Sequence, residues 1–316
     1  MFAICIESSH ARGMGHLFRS LNLACELRRR GHGVTLLVND DAASLRLLRE
    51  HGHAPLVVNL GDFSGGWEGE LVARHGFSAW INDRLDTHAD HAQHVRAAGI
   101  PLVTFDDRGS GAALADLHVA ALAFEERPLA GKRVLCGVDY LVLNSDLARF
   151  QRLRGVPGSL LVTLGGSDTY GATVEVVRQL AARGRGATVV IGPAFAHRQA
   201  LDAVLSDAFE LHVGVPSMAE EMSRHELAIT GGGITPFEAN AAGLPCLVIA
   251  NEDFEIPVCR ELERMGGAVF AGHREAIDLS ALDSPLPLER MSRAGMAKVG
   301  LGGTARVCDA LEGLRA

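Results

Sequence analysis

Apolar residues run along this chain in short blocks that alternate with helical periods. Phe2–Ile6 is an unbroken apolar run and predicts a buried strand. Gly13-Met14-Gly15-His16 interrupts it. Leu17, Leu21, Ala24 and Cys25 then recur at i, i+4, i+7 and i+8, which is one face of a helix. Arg28, Arg29 and Arg30 collect at its far end, and Gly31 stops it where a C′ glycine is expected. The chain therefore begins as strand, glycine loop and helix.

The same alternation continues. Strands are predicted over 33–38, 54–59, 77–81 and 100–105, with a sixth at 117–120. Helices are predicted over 40–51, 63–75 with its leading loop, and 87–98. Residues 123–157 follow no period and carry Pro128, Gly131, Gly137, Gly155 and Pro157, so they read as the exit from a first domain and a linker. The pattern restarts at 159. Strands at 159–164, 187–191, 210–213, 227–230, 245–250 and 268–270 alternate with helices at 172–183, 195–205, 217–224, 236–242 and 255–265, and a last helix spans 304–314. Alternation of this kind predicts parallel sheets covered on both faces. Two similar α/β domains are expected, 1–145 and 158–316, with the last helix packing back on the first.

Composition narrows the partners. The 316 residues suit two domains of ordinary size. A net charge of −8 offers no basic footprint for nucleic acid or an acidic membrane. No apolar run approaches the ~18 residues of a membrane helix. The chain enters a strand at Met1-Phe2 without the basic and apolar regions of a secretory signal, so none is expected. Six cysteines are scattered without a metal spacing and read as mostly buried free thiols, which fits a reducing cytoplasm.

In open α/β sheets, ligands sit outside the carboxyl ends of the strands. Three glycine-rich breaks fall at such ends: 13–15, 165–168 and 231–233. The first belongs to one domain and the others to the second, so a ligand using all three lies in the cleft between domains. An elongated anion such as a nucleotide diphosphate with a distal group suits that arrangement. Gly231-Gly232-Gly233-Ile234-Thr235-Pro236-Phe237-Glu238 follows a strand and opens a helix. Thr235 as N-cap, Pro236 at N1 and Glu238 at N3 would form a capping box. Glu238 either caps its own helix or accepts two ribose hydroxyls. The first break is not a dinucleotide fingerprint, because Phe18 stands where GxGxxG requires glycine. His16 sits at a helix start, where the dipole disfavours a cationic ring. It is either a neutral base or a residue that hydrogen-bonds its own loop. His88, His91 and His94 share a helix face, and a solvated face is the expected reading over a metal site. Asp83, Asp106 and Asp107 end strands, as sugar ligands or as helix caps.

The GMGH loop with Arg19, the strand-terminal GGSD and the GGxTxxExxxxGxP run from Gly232 to Pro245 together resemble the PseG/SpsG family, and more distantly the MurG-type glycosyltransferases of the GT-B fold. The segments 81–87 and 105–109 are most similar to the SpsG-like branch. The resemblance implies two Rossmann-like α/β domains with parallel sheets facing across a cleft. It implies release of UDP from a UDP-linked diacetamido-trideoxy sugar by inverting attack of water, without metal or cofactor. His16 would be the base. Gly13, Gly15, Arg19, Asp83, Asp107 and Glu255 would face the sugar. Gly165, Gly166, Ser167, Gly232, Gly233, Thr235 and Glu238 would hold the nucleotide. The implied partners are a nucleotide sugar and other enzymes of its pathway. One departure stands out: Phe254-Glu255 occupies the place of the hydrolases' Asn-Gln pair, which alters the sugar side. A glycosyltransferase with the same nucleotide site, and a non-catalytic nucleotide-sugar binding subunit, remain as alternatives.

Overall fold

The computed structural model describes residues 1–8, 14–124 and 128–314. They divide into two units, Met1–Val142 with Gly302–Ala316, and Leu143–Leu301.

The first unit contains β1 (Phe2–Ile6), α1 (Gly15–Arg29), β2 (Val34–Val38), α2 (Ala42–Glu50), β3 (Leu56–Val57), α3 (Trp67–His75), β4 (Ala79–Asp83), α4 (Ala89–Ala97), β5 (Leu102–Phe105), β6 (Leu117–Ala120) and β7 (Val134–Cys136). Its sheet has the order β3-β2-β1-β4-β5-β6-β7, with parallel pairing throughout. Every residue of β1 is buried, as a strand covered on both faces must be. Ala3, Cys5, Leu37, Trp80, Val95 and Leu102 belong to the core beneath it.

The second unit runs through α5 (Leu147–Phe150), β8 (Leu160–Thr163), α6 (Ala172–Ala182), β9 (Ala187–Ile191), α7 (Arg198–Asp202), β10 (Phe209–Val213), α8 (Met218–Ser223), β11 (Leu227–Gly231), α9 (Thr235–Ala241), β12 (Cys246–Ala250), α10 (Ile256–Met265), β13 (Ala268–His273) and α11 (Leu288–Lys298). Its sheet, again parallel, has the order β10-β9-β8-β11-β12-β13. Val162, Val176, Val189, Ile229 and Leu247 are among its core residues. The final α12 (Gly303–Glu312) belongs to the first unit. Its Gly303 is so close to the chain that a Cβ would stand 2.1 Å from the Leu141 carbonyl oxygen. Arg30 at the end of α1 reaches Asp309 at 2.6 Å and Glu312 at 3.0 Å on α12.

In each unit the connection order reverses beside the central strand, between β1 and β4 and between β8 and β11. Such a switch point opens a crevice at the carboxyl edge.

Several elements differ from the sequence reading. The stretch taken as a linker contains β7, which pairs His118 with Val134 at the edge of the first sheet. Three residues are too few to show a period. The same stretch contains Arg154, fully buried, whose guanidinium donates to the carbonyls of Met222, His225 and Ala242. Those carbonyls lie at or just past the ends of α8 and α9, where helices need external donors. Helix α11 was missed because its buried positions include Ser292 and Gly295, which carry no apolar signal. Asn240 packs against Gly295 so closely that a Cβ there would stand 3.1 Å from the Asn240 Cβ. Of the cysteines, Cys25 and Cys136 are exposed, whereas Cys5, Cys246, Cys259 and Cys308 are buried free thiols. No helix among the described residues is long and apolar enough to cross a membrane.

Candidate functional site

The first unit brings three of its sequence-predicted residues into one constellation. Residues Ile6 of β1 and Asp83 of β4 are register partners at the switch point. Helix α1 starts just beyond β1 and carries His16 in its first turn. His16 Nδ1 lies 2.7 Å from Asp83 Oδ1. Arg19, one turn further on, donates from Nε to Asp83 Oδ2 at 3.0 Å and from Nη2 to Oδ1 at 2.5 Å. Ser20 Oγ donates to Oδ2 at 3.0 Å. The spacing 16, 19 and 20 puts these donors on one helix face. Arg19 also pairs with Asp106, a non-glycine residue at φ +45°. Asp106 in turn accepts the Leu122 N–H at 2.8 Å.

Burial opposes ionisation of Asp83, but the Arg19 guanidinium and the His16 hydrogen bond outweigh it and hold the carboxyl well below its ordinary range. Asp83 is therefore an anion. His16 Nδ1–H then donates to it, leaving Nε2 as the ring's other nitrogen. The 3.3 Å approach of Arg19 Nη2 to His16 Nδ1 joins two donors and is not a hydrogen bond. The His16 side chain retains 16% exposure, whereas Asp83 retains 3%. The ring is the reachable member, and the carboxylate and Arg19 behind it are its support. Gly15 is exposed at the start of the helix, with open space where a Cβ would stand. Gly13 lies outside the described residues.

Asp107 does not join this group. It is buried, and its oxygens accept from the Thr87 N–H at 3.0 Å, the Thr87 hydroxyl and the Gly109 N–H at 2.8 Å. Burial pushes its carboxyl up despite those bonds. The histidines of α4 separate as well. His88 is exposed, while His91 is buried, with Nδ1 2.8 Å from Glu68 Oε1 and Nε2 3.2 Å from Asn82 Oδ1. A solvated face was expected there. Instead, the rings of Trp67 and Trp80 both lie 5.7 Å from His91. Among the described residues, no group of three or more histidine, cysteine and carboxylate side chains is placed to hold a metal ion.

In the second unit the GGSD turn leaves β8 at the other switch point. Gly165 has φ +99°, a conformation that costs an L-residue about 1–2 kcal/mol. Gly192, after β9, lies so near that a Cβ would meet the Gly166 backbone at 2.2 Å. We expect Gly192→Ala to force this turn outward and to lower stability by about 1–3 kcal/mol, read by denaturant unfolding; an unchanged midpoint would contradict the contact. Ser167 is buried, its Oγ 3.1 Å from the Thr169 hydroxyl. Asp168 turns back to accept from Ala172 N at 2.9 Å and Thr173 N at 2.8 Å, so the start of α6 already has its own carboxylate.

The third glycine break differs from its expected form. Helix α9 begins at Thr235, its N-cap is Ile234, and no side chain caps it. The capping box of Thr235 and Glu238 does not form, because Thr235 is already helical. The capping reading of Glu238 falls with it. Glu238 instead accepts a backbone hydrogen bond from Asn144. Gly232 has no room for a Cβ, which would stand 2.8 Å from Cys259 Sγ, while Gly233 faces open space. A capping box does occur after β12, at a place the sequence did not suggest: Glu252 and Glu255 cap each other's backbone. Glu255 accepts from Asn251 N at 2.7 Å and Glu252 N at 3.3 Å, so its carboxylate holds the loop.

Burial pushes both Glu238 and Glu255 up to about 7, against the lowering effect of their backbone hydrogen bonds. A raised carboxyl contributes stability that is fully present below its ordinary 4.5 and is lost as pH rises through about 7. Thermal melts across that window should therefore show wild type losing stability relative to Glu238→Gln/Glu255→Gln as pH rises. Parallel profiles would show that neither carboxyl is perturbed.

The same edge holds residues the sequence reading overlooked. Tyr170 is exposed, donates to Glu252 Oε1 at 2.7 Å, and lies under Arg274, whose Cζ is 3.9 Å from the ring centroid. It is one of two tyrosines in the chain and directly follows GGSD-Thr, a clue available in the sequence. Its partners come from loops after β12 and β13, which no local pattern connects to it.

No family model matches the chain. It is 23% identical over 338 residues to the spore coat polysaccharide biosynthesis protein SpsG of Bacillus subtilis, covering 98% of this chain and 97% of that protein. The fold is that of MurG from Acinetobacter baumannii: TM-score 0.67 at 15% identity, covering 98% of this chain and 99% of that one. The chain is similar to SpsG over nearly its whole length and has a MurG-like GT-B fold. It is also 26% identical over 277 residues to an uncharacterised protein of Methanocaldococcus jannaschii, covering 80% of this chain but 56% of that longer protein. A UDP-GlcNAc 2-epimerase from Neisseria meningitidis, solved with UDP-GlcNAc, shares the fold at TM-score 0.63 and 12% identity, covering 99% of this chain and 100% of the epimerase.

Proposed function

We propose that this SpsG-like protein is a nucleotide-sugar hydrolase that acts in the cytoplasm and releases UDP from a UDP-linked sugar of the diacetamido-trideoxy type. The observation that carries the reading is the His16–Asp83 pair at the switch point, 2.7 Å apart and locked by Arg19. A ring whose Nδ1–H is held by a carboxylate presents Nε2 as a base. Water attacks the anomeric carbon while Nε2 takes its proton. The bond from that carbon to the diphosphate oxygen breaks, its electrons leave with UDP, and the sugar is released with inverted configuration. Asp83 stabilises the imidazolium formed. The second unit supplies the nucleotide site. Gly165, Gly166 and Ser167 line it, Gly232, Gly233 and Thr235 meet the diphosphate, and Glu238 takes the ribose. Gly233, with open space at its Cβ position, suits close approach of a phosphate. Tyr170, two residues after the GGSD turn, carries Arg274 over its ring.

A glycosyltransferase is the second reading, favoured by the MurG-like fold and by Glu255, whose carboxylate is engaged by the backbone where the hydrolases carry Asn-Gln. In it, Nε2 deprotonates an acceptor hydroxyl instead of water. The discriminating experiment incubates the protein with UDP-sugars, with and without acceptors, and measures free UDP. Release with water alone supports the hydrolase; release only with an acceptor overturns it in favour of the transferase.

A further inference from the structure

A cavity of about 400 Å³ opens at the carboxyl edge of the first unit, beside but apart from the His16 constellation. Its walls come from the segments after β1, β3, β4 and β5, and include Glu7, Phe63, Arg84, Asp86, Thr87 and His88. Arg84 is the unusual member. It directly follows Asp83, and its side chain retains only 5% exposure. A guanidinium has five N–H donors and is always charged. Yet Nε and Nη1 are sealed from solvent and have no hydrogen-bond partner among the described residues. Among the described residues Glu7 Oε2 pairs with Nε at 3.7 Å, beyond hydrogen-bond reach. Glu7 balances the charge in part, yet native proteins rarely leave two buried donors of one guanidinium without hydrogen bonds. A ligand anion would complete it.

The rest of the wall says what kind of anion. The Phe63 ring stacks on His88, with centroids 4.2 Å apart, giving a flat face for C–H groups. Carboxylates of Glu7 and Asp86 in the same wall accept from hydroxyls and repel a dianion. The volume exceeds what a bare ion needs and falls within the range of small-molecule sites. We propose that this cavity binds a hydroxylated monocarboxylic acid, a sugar acid in chemical class, with its carboxylate on Arg84 and its hydroxyls on Glu7 and Asp86. The site stands whether the protein hydrolyses or transfers sugars, since it uses none of the residues assigned to UDP or to proton transfer.

Calorimetric titration of the whole protein with D-glucuronate, D-glucose and inorganic phosphate tests this. Glucuronate is expected to bind about tenfold or more tightly than glucose, the difference a charge-assisted hydrogen bond makes, and phosphate is expected not to displace it. Arg84→Gln should remove the preference, and Phe63→Ala should weaken both sugars. If Arg84→Gln does not fold, Arg84→Lys, which keeps the charge but loses the fork, should still lose most of the preference. Absence of glucuronate binding, equal affinity for the two sugars, displacement by phosphate, or a preference that survives loss of the guanidinium each overturns the proposal.

Discussion

His16→Ala should lower UDP release by about 10²–10⁴-fold, the range supplied by a positioned general base. The loss should fall on kcat, because the ring acts on the proton of the attacking group and the nucleotide is assigned to the second unit. Binding of UDP, measured by calorimetry, should stay close to wild type. The prediction rests on the Asp83 contact at 2.7 Å, which fixes the ring with Nδ1 as donor. Asp83→Asn probes that support from the other side. The amide can turn its N–H₂ toward the ring and favour the wrong tautomer, so release should fall while the fold survives. Full activity in His16→Ala would remove the hydrolase and the transferase readings together, since both take their proton through Nε2.

Removal of the Asp83 carboxylate is the second large effect. Asp83→Ala strips Arg19, Ser20 and His16 of a shared acceptor and leaves a guanidinium with 4% side-chain exposure paired to Asp106 alone. Breaking a buried pair from one side costs about 3–5 kcal/mol, and the surviving Asp106 contact places this case at the lower end. Denaturant unfolding gives the number. The control is Asp83→Leu combined with Arg19→Met, which removes both charges and should cost less than Asp83→Ala alone. If the double variant is the less stable protein, the pair is not what holds this corner. The pH dependence has a definite sign. Because the folded carboxyl is held below its ordinary 3.8, its contribution is fully present above that pH and disappears as pH falls below it. Acid unfolding of Asp83→Leu/Arg19→Met should accordingly be shallower than that of wild type.

Much of the architecture was legible because burial imposes a simple code on a parallel sheet. Strands covered on both faces are short apolar runs, such as Phe2–Ile6, and glycine breaks mark their carboxyl ends. Elements without that code escaped. The three-residue β7 sits at a sheet edge, and α11 buries serine and glycine. Arg154 reads as a linker residue in a stretch without period, yet it is fully enclosed by carbonyls from chain segments about 70 to 90 residues away.

The site divides in the same way. Local spacing was enough to single out His16, Arg19, GGSD and the GGG turn, because a helix start after a strand is a property of neighbouring residues. The choice between roles was not local. The partner of His16 is Asp83, which is 67 residues away. Asp83 reaches it because the strand order places β4 beside β1. Sequence alone thus determined two parallel α/β units with anion-suited turns at their strand ends, through burial periodicity and glycine punctuation. Strand order, which no local pattern encodes, decided that the Asp83 carboxylate meets His16, that Asp107 meets Thr87, and that the buried Arg84 lies 3.7 Å from Glu7.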